Sequence, residues 1–230
     1  MNMLMIAGIP LALLASSTSA QIVSNGSFET FSGAFAGDGG AQLTSGSTTL
    51  TGWTIVGGEI AVLRAPNNYN LSASTGNNFL DIAGYTNVGF PKGVSQVLAG
   101  LLVGQAYAFS MDLGIRNGAC VGGGSNCGGP VQAIATIGST SQTFTEASAI
   151  AGNIWGTFGF NFIATNPNMT LTINGVSLPA GNQYIGLDNV SVAPAVPEPE
   201  TYALLLAGLI AIGAFTRSGR AACSPKRRSG

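Results

Sequence analysis

Large apolar side chains alternate with small or polar ones along several stretches of this 230-residue chain. At 107–113, Tyr107, Phe109, Met111 and Leu113 alternate with Ala108, Ser110 and Asp112. Successive side chains of a strand point to opposite faces, so this alternation puts the large groups on one sheet face. The same pattern sets Phe158, Phe160 and Phe162 against Gly159, Asn161 and Ile163, and Met169, Leu171 and Ile173 against Thr170, Thr172 and Asn174. Each reads as a strand with one face in a core. Apolar runs at 53–56, 60–63, 79–83, 94–98, 131–137 and 185–192 predict further strands, separated by clusters of Gly, Asn, Ser and Pro. No helical periodicity interrupts 21–193 and no repeat of fixed period runs through it. The pattern therefore predicts an all-β fold, an antiparallel β-sandwich rather than a solenoid.

Both ends depart from this alternation. The first twenty residues hold an apolar run, 3–15, closing on Thr18, Ser19 and Ala20 before Gln21. Such a run is shorter than the ~20 residues a bilayer needs. With small residues ahead of the cleavage point, 1–20 reads as a signal peptide for export, cut by signal peptidase. No Lys or Arg precedes the run, so the true start codon is open, and the alternative is a buried N-terminal helix. At the other end, Val196, Pro197, Glu198, Pro199 and Glu200 lead into an apolar run, 202–215. Arg217, Arg220, Lys226, Arg227 and Arg228 follow with no acid among them. A Pro-rich stretch, an apolar helix that enters the bilayer and a basic cluster held on the cytoplasmic side place the rest of the chain outside.

Composition narrows the chemistry. Only 7% of the chain is charged, 46% is hydrophobic and there is no His, which removes Ser-His-Asp and Cys-His catalysis, imidazole metal clusters and His-based pH switches. Between 21 and 196 the only bases are Arg64, Lys92 and Arg116, against Glu29, Asp38, Glu59, Asp81, Asp112, Glu146 and Asp188. An acid excess of this kind makes nucleic acid an unsuitable partner.

The tripartite tail resembles the PEP-CTERM sorting signal of Gram-negative bacteria, with Pro197, Glu198 and Pro199 at the position of that family's motif and the basic residues from Arg217 onward as its stop. The resemblance implies recognition by an integral-membrane exosortase, an inner-membrane intermediate held through 202–215, and transfer to the cell surface or the exopolysaccharide matrix. Here the basic residues fall in two groups and an extension from Ala221 follows, so a plain tail anchor is the alternative. The domain organisation expected is a signal peptide at 1–20, a sandwich at 21–193 and a sorting tail at 194–230.

A second resemblance rests on an ordered set of short motifs: Asn25-Gly26-Ser27-Phe28-Glu29, Gly52-Trp53, Phe79-Leu80-Asp81, Val94-Ser95-Gln96-Val97 and Gly186-Leu187-Asp188-Asn189-Val190. Together they are similar to a galactose-binding-like jelly roll, shared by several carbohydrate-binding modules. First and last strands of such a fold lie close, so Glu29 and Asp188 are expected to converge. Two carboxylates at close range repel unless protonated or bridged by a cation, and calcium takes several oxygens. In the related modules the matching acids help hold a structural calcium, which implies that role for Glu29 and Asp188. The other reading makes Glu29 an exposed turn acid and Asp188 a loop cap.

Cys120 and Cys127 flank a Gly-rich segment, and in an exported chain they predict a disulfide closing a small loop, while Cys223 stays unpaired. Three functions compete. As a sugar binder, the chain offers aromatic faces and polar groups around Trp53, Arg64, Tyr69 and Tyr85, although Trp53 and Trp155 suit core packing better. As an enzyme it would need two of Glu59, Asp81, Asp112 and Glu146 at hydrolytic spacing, and no motif links them. Asp81 and Asp112 are expected to bond turn backbone or an Arg. The third reading is a passive matrix protein without a ligand site. Carbohydrate association, with extracellular polysaccharide as partner and no catalysis, is the favoured expectation. The sequons at Asn25, Asn70, Asn168 and Asn189 are coincidences of composition in a chain with a bacterial tail.

Overall fold

The computed structural model describes residues 22–86, 89–117, 130–147, 152–178, 184–195 and 206–210. The chain divides into two compact units, Met1–Ala193 and Pro194–Gly230. Among the described residues there are eleven strands: β1 Gly40–Leu43, β2 Thr54–Val56, β3 Ile60–Arg64, β4 Asn78–Asp81, β5 Lys92–Ala99, β6 Ala106–Asn117, β7 Val131–Ile137, β8 Thr140–Glu146, β9 Gly152–Ile163, β10 Asn168–Val176 and β11 Gly186–Pro194. They form a six-stranded sheet, β1-β3-β4-β11-β6-β9, and a five-stranded sheet, β2-β5-β10-β7-β8, with every described pairing antiparallel.

The expected alternation is what buries the inner faces. Along β7, Val131, Ala133, Ala135 and Ile137 are buried while Gln132, Ile134 and Thr136 are half-buried, and β10 repeats this with Met169, Leu171 and Ile173. Tyr107, Phe109, Met111 and Leu113 all face inward from β6, as their spacing requires. These side chains, from both sheets, join Ile60, Val62 and Leu80 of the six-stranded sheet in one continuous core. Burying each large aliphatic or aromatic group stabilises the fold by about 1.5–3 kcal/mol before the entropy of ordering the chain is subtracted. A smaller cluster of Ala61, Leu63, Leu71, Phe79 and Tyr184 lies on the other face of the six-stranded sheet, because Ala61 and Leu63 alternate with Ile60 and Val62. Tyr69, Ala73 and Trp155 pack against it.

Some boundaries differ from expectation for identifiable reasons. The run 79–83 stops being strand at Asp81, whose carboxylate accepts the Ala83 amide at 2.9 Å and turns the chain. Strand β8, Thr-Ser-Gln-Thr-Phe-Thr-Glu, carries one buried apolar residue, Phe144, so its hydrophobic signal is too sparse to read. Strand β9 starts at Gly152, well before the phenylalanine repeat, since on a sheet edge its first half needs no strict alternation.

The expected flanking helices fall mostly outside the described residues. The signal segment 1–20 lies outside the described residues. Of the apolar run 202–215, residues 206–210 are described and are helical, with Leu206, Leu209 and Ile210 exposed. Among the described residues no helix is long and apolar enough to cross a membrane.

Candidate functional site

The two end motifs meet, as the resemblance implied. Val190 N donates to Gly26 O at 2.9 Å, and Asn25, Phe28 and Asn189 all adopt positive φ, at 52°, 59° and 50°. Asn25 fixes the first motif by donating through Nδ2 to Thr30 O and Thr51 O, at 3.1 and 2.9 Å. Trp53 is buried against Phe28, ring centroids 5.4 Å apart, and its Nε1 donates to Asn25 O at 2.9 Å, which makes it a core residue.

Glu29 and Asp188 converge on a single loop. Glu29 Oε1 accepts the amides of Asn77 and Asn78, each at 2.8 Å, and Asp188 Oδ2 accepts those of Ser74 and Thr75 at 2.8 and 2.9 Å. Between these pairs Gly76 has φ +67, and a Cβ there would collide with the Glu29 carboxylate. A third acid takes part that the sequence did not single out for this place. Asp112 accepts Ser74 Oγ at 2.5 Å, Thr157 Oγ1 at 2.7 Å and Asn189 Nδ2 at 3.2 Å, so its partners are side chains rather than the turn backbone or Arg expected. Burial pushes the Asp188 carboxyl up to about 6, with the Asp112 charge adding to the rise and the Thr75, Asn189 and Ser74 amides opposing it.

Among the described residues the ion pair is Lys92–Glu59, so neither Lys nor Arg neutralises this group. No cluster of three or more Asp, Glu or Cys side chains is placed to hold a metal among the described residues. The buried Thr75 Oγ1 and Asn78 Oδ1, on the loop held by Glu29 and Asp188, have no hydrogen-bond partner. Oxygen donors of this kind suit a hard cation such as calcium and not zinc; Glu29 is itself exposed and both acids accept loop amides, which also fits the reading of a turn acid and a loop cap.

A second constellation gathers Arg64, Tyr69 and Tyr85, three of the residues expected around a sugar site. Asp38 joins the two tyrosines, and the Arg64 amide donates to Gly39 O of the same turn at 2.9 Å. Asp38 Oδ1 accepts Gly40 N at 2.9 Å, its Oδ2 accepts the Tyr69 hydroxyl, and Asn68 N donates to its carbonyl at 2.9 Å. The Tyr69 bond, with the Gly40 amide, holds the Asp38 carboxyl below its usual range, while burial and Asp38 raise Tyr69. Asn67 fixes the loop: its Oδ1 accepts Tyr69 N and Leu71 N, both at 3.1 Å. The Tyr69 and Tyr85 rings lie 6.5 Å apart at 58°, and Tyr85 is 42% exposed. Gly40 is required beside them, because a Cβ there would meet the Tyr85 hydroxyl. Arg64 lies over the Phe35 ring at 4.4 Å. Phe35 and Asp38 were missed in the sequence; the Asp38-Gly39-Gly40 turn marked the place but not its partner Tyr69, 31 residues away.

The carboxylates considered for hydrolysis are otherwise engaged. Glu59 pairs with the fully buried Lys92 at 3.2 Å and accepts Tyr85 N, Thr86 N and Thr86 Oγ1. Burial alone would raise its carboxyl, but the Thr86 and Lys92 interactions outweigh that and hold it below the usual range. Asp81 accepts Ala83 N and Ile185 N, the turn backbone expected of it, and burial pushes it up to about 7. Glu146 lies half-buried on β8 beside Gly156. Trp155 donates through Nε1 to Ser72 O at 3.1 Å and packs edge-on against Phe79, a packing role. The expected disulfide Cys120–Cys127, the motif Pro197, Glu198 and Pro199, and the basic residues Arg217, Arg220, Lys226, Arg227 and Arg228 all lie outside the described residues.

No protein-family model and no curated protein matches the chain. Solved structures do. The EclA C-terminal domain, a sugar-binding protein, is 13% identical over 45% of this chain and 67% of its own, with a TM-score of 0.32. The arabinose-bound α-L-arabinofuranosidase MgGH51 is 12% identical with a TM-score of 0.47; the match covers 78% of this chain but spans only 27% of that enzyme. The CBM22-1 xylan-binding domain of Paenibacillus barcinonensis Xyn10C is 16% identical over 72% of this chain and 99% of its own, with a TM-score of 0.37. Likeness this distant carries no argument about what the chain binds.

Proposed function

We propose that this chain is an exported jelly-roll protein of a bacterial cell surface or exopolysaccharide matrix. Its sandwich associates with carbohydrate and does not catalyse. The observation that carries the binding reading is the tyrosine pair, exposed Tyr85 and half-buried Tyr69, whose rings lie 6.5 Å apart at the Asp38 turn, to which the Arg64 amide is bonded through Gly39 O. Aromatic faces stack on the apolar faces of sugar rings, and a carboxylate and guanidinium at their rim exchange hydrogen bonds with hydroxyls. Of the four acids considered for hydrolysis, Asp81 and Asp112 are buried and Glu59 is tied to Lys92, which leaves Glu146 without a free counterpart among them.

Calcium at Glu29, Asp188, Thr75 and Asn78 is a structural cofactor in this reading. It would neutralise the two acids and tie the last strand to the loop. Export, exosortase sorting and the transient membrane stage rest on the tail motif and its resemblance alone.

Two experiments test the proposal. A glycan array probed with the full chain should show retention on a neutral or weakly acidic glycan that is lost in Tyr69→Ala/Tyr85→Ala, and a blank array opposes the binding reading. Fractionation of tagged protein with Pro197, Glu198 and Pro199 replaced by alanines should trap it at the inner membrane; unchanged size and location would oppose processing at that motif.

A further inference from the structure

The turn between β5 and β6 carries its large side chains on the outside. Leu102 and Val103 are adjacent in the chain and 65% and 62% exposed. Ile163, the last residue of β9, is 62% exposed and pairs with Ala106 at the same end of the sandwich. Local structure does not call for these side chains. Gln105 N donates to Leu102 O at 3.0 Å and Gly104 has φ +85, which closes a turn with Val103 and Gly104 at its centre. That geometry demands Gly104 alone, and the other turn positions ordinarily go to polar residues. The turn is also held in place. Leu101 is buried and its amide donates to Pro167 O at 3.0 Å, Leu102 N donates to the Tyr107 hydroxyl at 2.9 Å, and Gly104 N donates to Ala164 O at 2.8 Å. A single exposed leucine needs no explanation, whereas two adjacent apolar side chains fixed outward on a turn mark a contact.

The chain leaves the sandwich at this same end. Strands β11 and β6 are neighbours, with Asn189 Nδ2 on Asp112 Oδ2 at 3.2 Å and Ser191 Oγ 2.8 Å from Ser110 Oγ. They run in opposite directions, so Pro194, closing β11, comes level with the start of β6, where the turn at 100–105 ends. Residues 195–201 then separate Pro194 from the apolar run 202–215, and this stretch spans at most about 25 Å. Charge does not oppose a lipid surface here: 97–111, 132–145 and 157–187, which supply the loops of this end, hold no Asp, Glu, Lys or Arg. No acid therefore repels anionic headgroups and no charged side chain has to be desolvated at the surface.

We infer that Leu102 and Val103, with Ile163 beside them, form a lipid-contacting tip that seats this end of the sandwich on the bilayer surface while 202–215 is inserted. The inference rests on the membrane stage of the proposed function. A few apolar side chains entering the interface bind weakly and reversibly by themselves, since binding scales with the apolar area buried. The short tether keeps the tip at high effective concentration beside the bilayer, so a weak contact suffices. Seating the tip fixes which end of the sandwich faces the lipid.

The test mixes the full chain with vesicles of phosphatidylethanolamine and phosphatidylglycerol whose brominated acyl chains quench tryptophan on contact. The proteins are wild type, Val103→Trp, Leu102→Ser/Val103→Ser and Ala147→Trp, each with its melting curve in solution. Ala147 is exposed just past the end of β8 that lies away from the 138–139 turn, and serves as the remote position. Flotation reads association and emission reads contact with acyl chains. Wild type floats with the vesicles, the emission added at 103 is quenched, and that added at 147 is not. The serine variant partitions about tenfold less, because one of two linked contacts is gone. In chains that float, emission from 103 quenched no more than that from 147 overturns the tip and leaves the membrane stage standing. A folded serine variant that partitions like wild type does the same. Wild type that stays off the vesicles overturns both.

Discussion

Asp188 and Asp81 are the residues at which the fold accepts an electrostatic cost. Burial raises them from 3.8 to about 6 and about 7, so each binds its proton more tightly in the folded chain than in the unfolded one. Between these limits the native state holds more protons, and stability therefore falls as pH rises. Asp38 and Glu59 are shifted the other way, and their contribution is lost only as pH falls below the usual carboxylate range. In metal-free buffer the melting temperature should be higher near pH 5 than near pH 8, with Asp188→Asn and Asp81→Asn each flattening the trend. A melting temperature that climbs across that interval would contradict these burial effects. Millimolar calcium should raise the melting temperature, and more so at the higher pH where Asp188 is charged. The absence of any shift would remove calcium from the account.

At the scale of elements, the loop at 74–78 shows how acids far apart in sequence build local structure. Glu29 and Asp188 together satisfy four of its amides, and Asp112 takes the Ser74 hydroxyl. Glu29→Ala would take the acceptor from the Asn77 and Asn78 amides; water replaces it at exposed Asn77, whereas the amide of buried Asn78 left unpaired costs about 1–3 kcal/mol. Hydrogen exchange at these two amides should accelerate in that variant and recover in Glu29→Gln, which keeps an acceptor oxygen; equal protection in all three proteins would show that the loop does not depend on Glu29. This element also marks the limit of what the sequence discloses. Strands β6, β7 and β10 were readable because period-two burial writes itself into the chain. The end motifs named Glu29 and Asp188, but nothing local announces that both serve 74–78 or that Asp112 joins them. The pairing of Asp38 with Tyr69 was hidden in the same way, and β8 was missed because hydroxyl residues face solvent where apolar alternation was sought.

For the whole molecule, the two sheets share a core, and the six-stranded sheet and its loops carry both the tyrosine end and the acid-held loop. A chain with 7% charge keeps few ionic contacts for partners, and under the proposed function aromatic faces, amides and hydroxyls make its associations. The central claim is that the sandwich binds sugar through Tyr69 and Tyr85. The most direct measurement is calorimetric titration of wild type and Tyr85→Ala with the oligosaccharide that the glycan array selects. Tyr85 is exposed, so the substitution should leave the melting temperature within a degree or two while weakening binding about tenfold, as loss of an aromatic anchor does. Equal affinity in the two proteins would contradict the account.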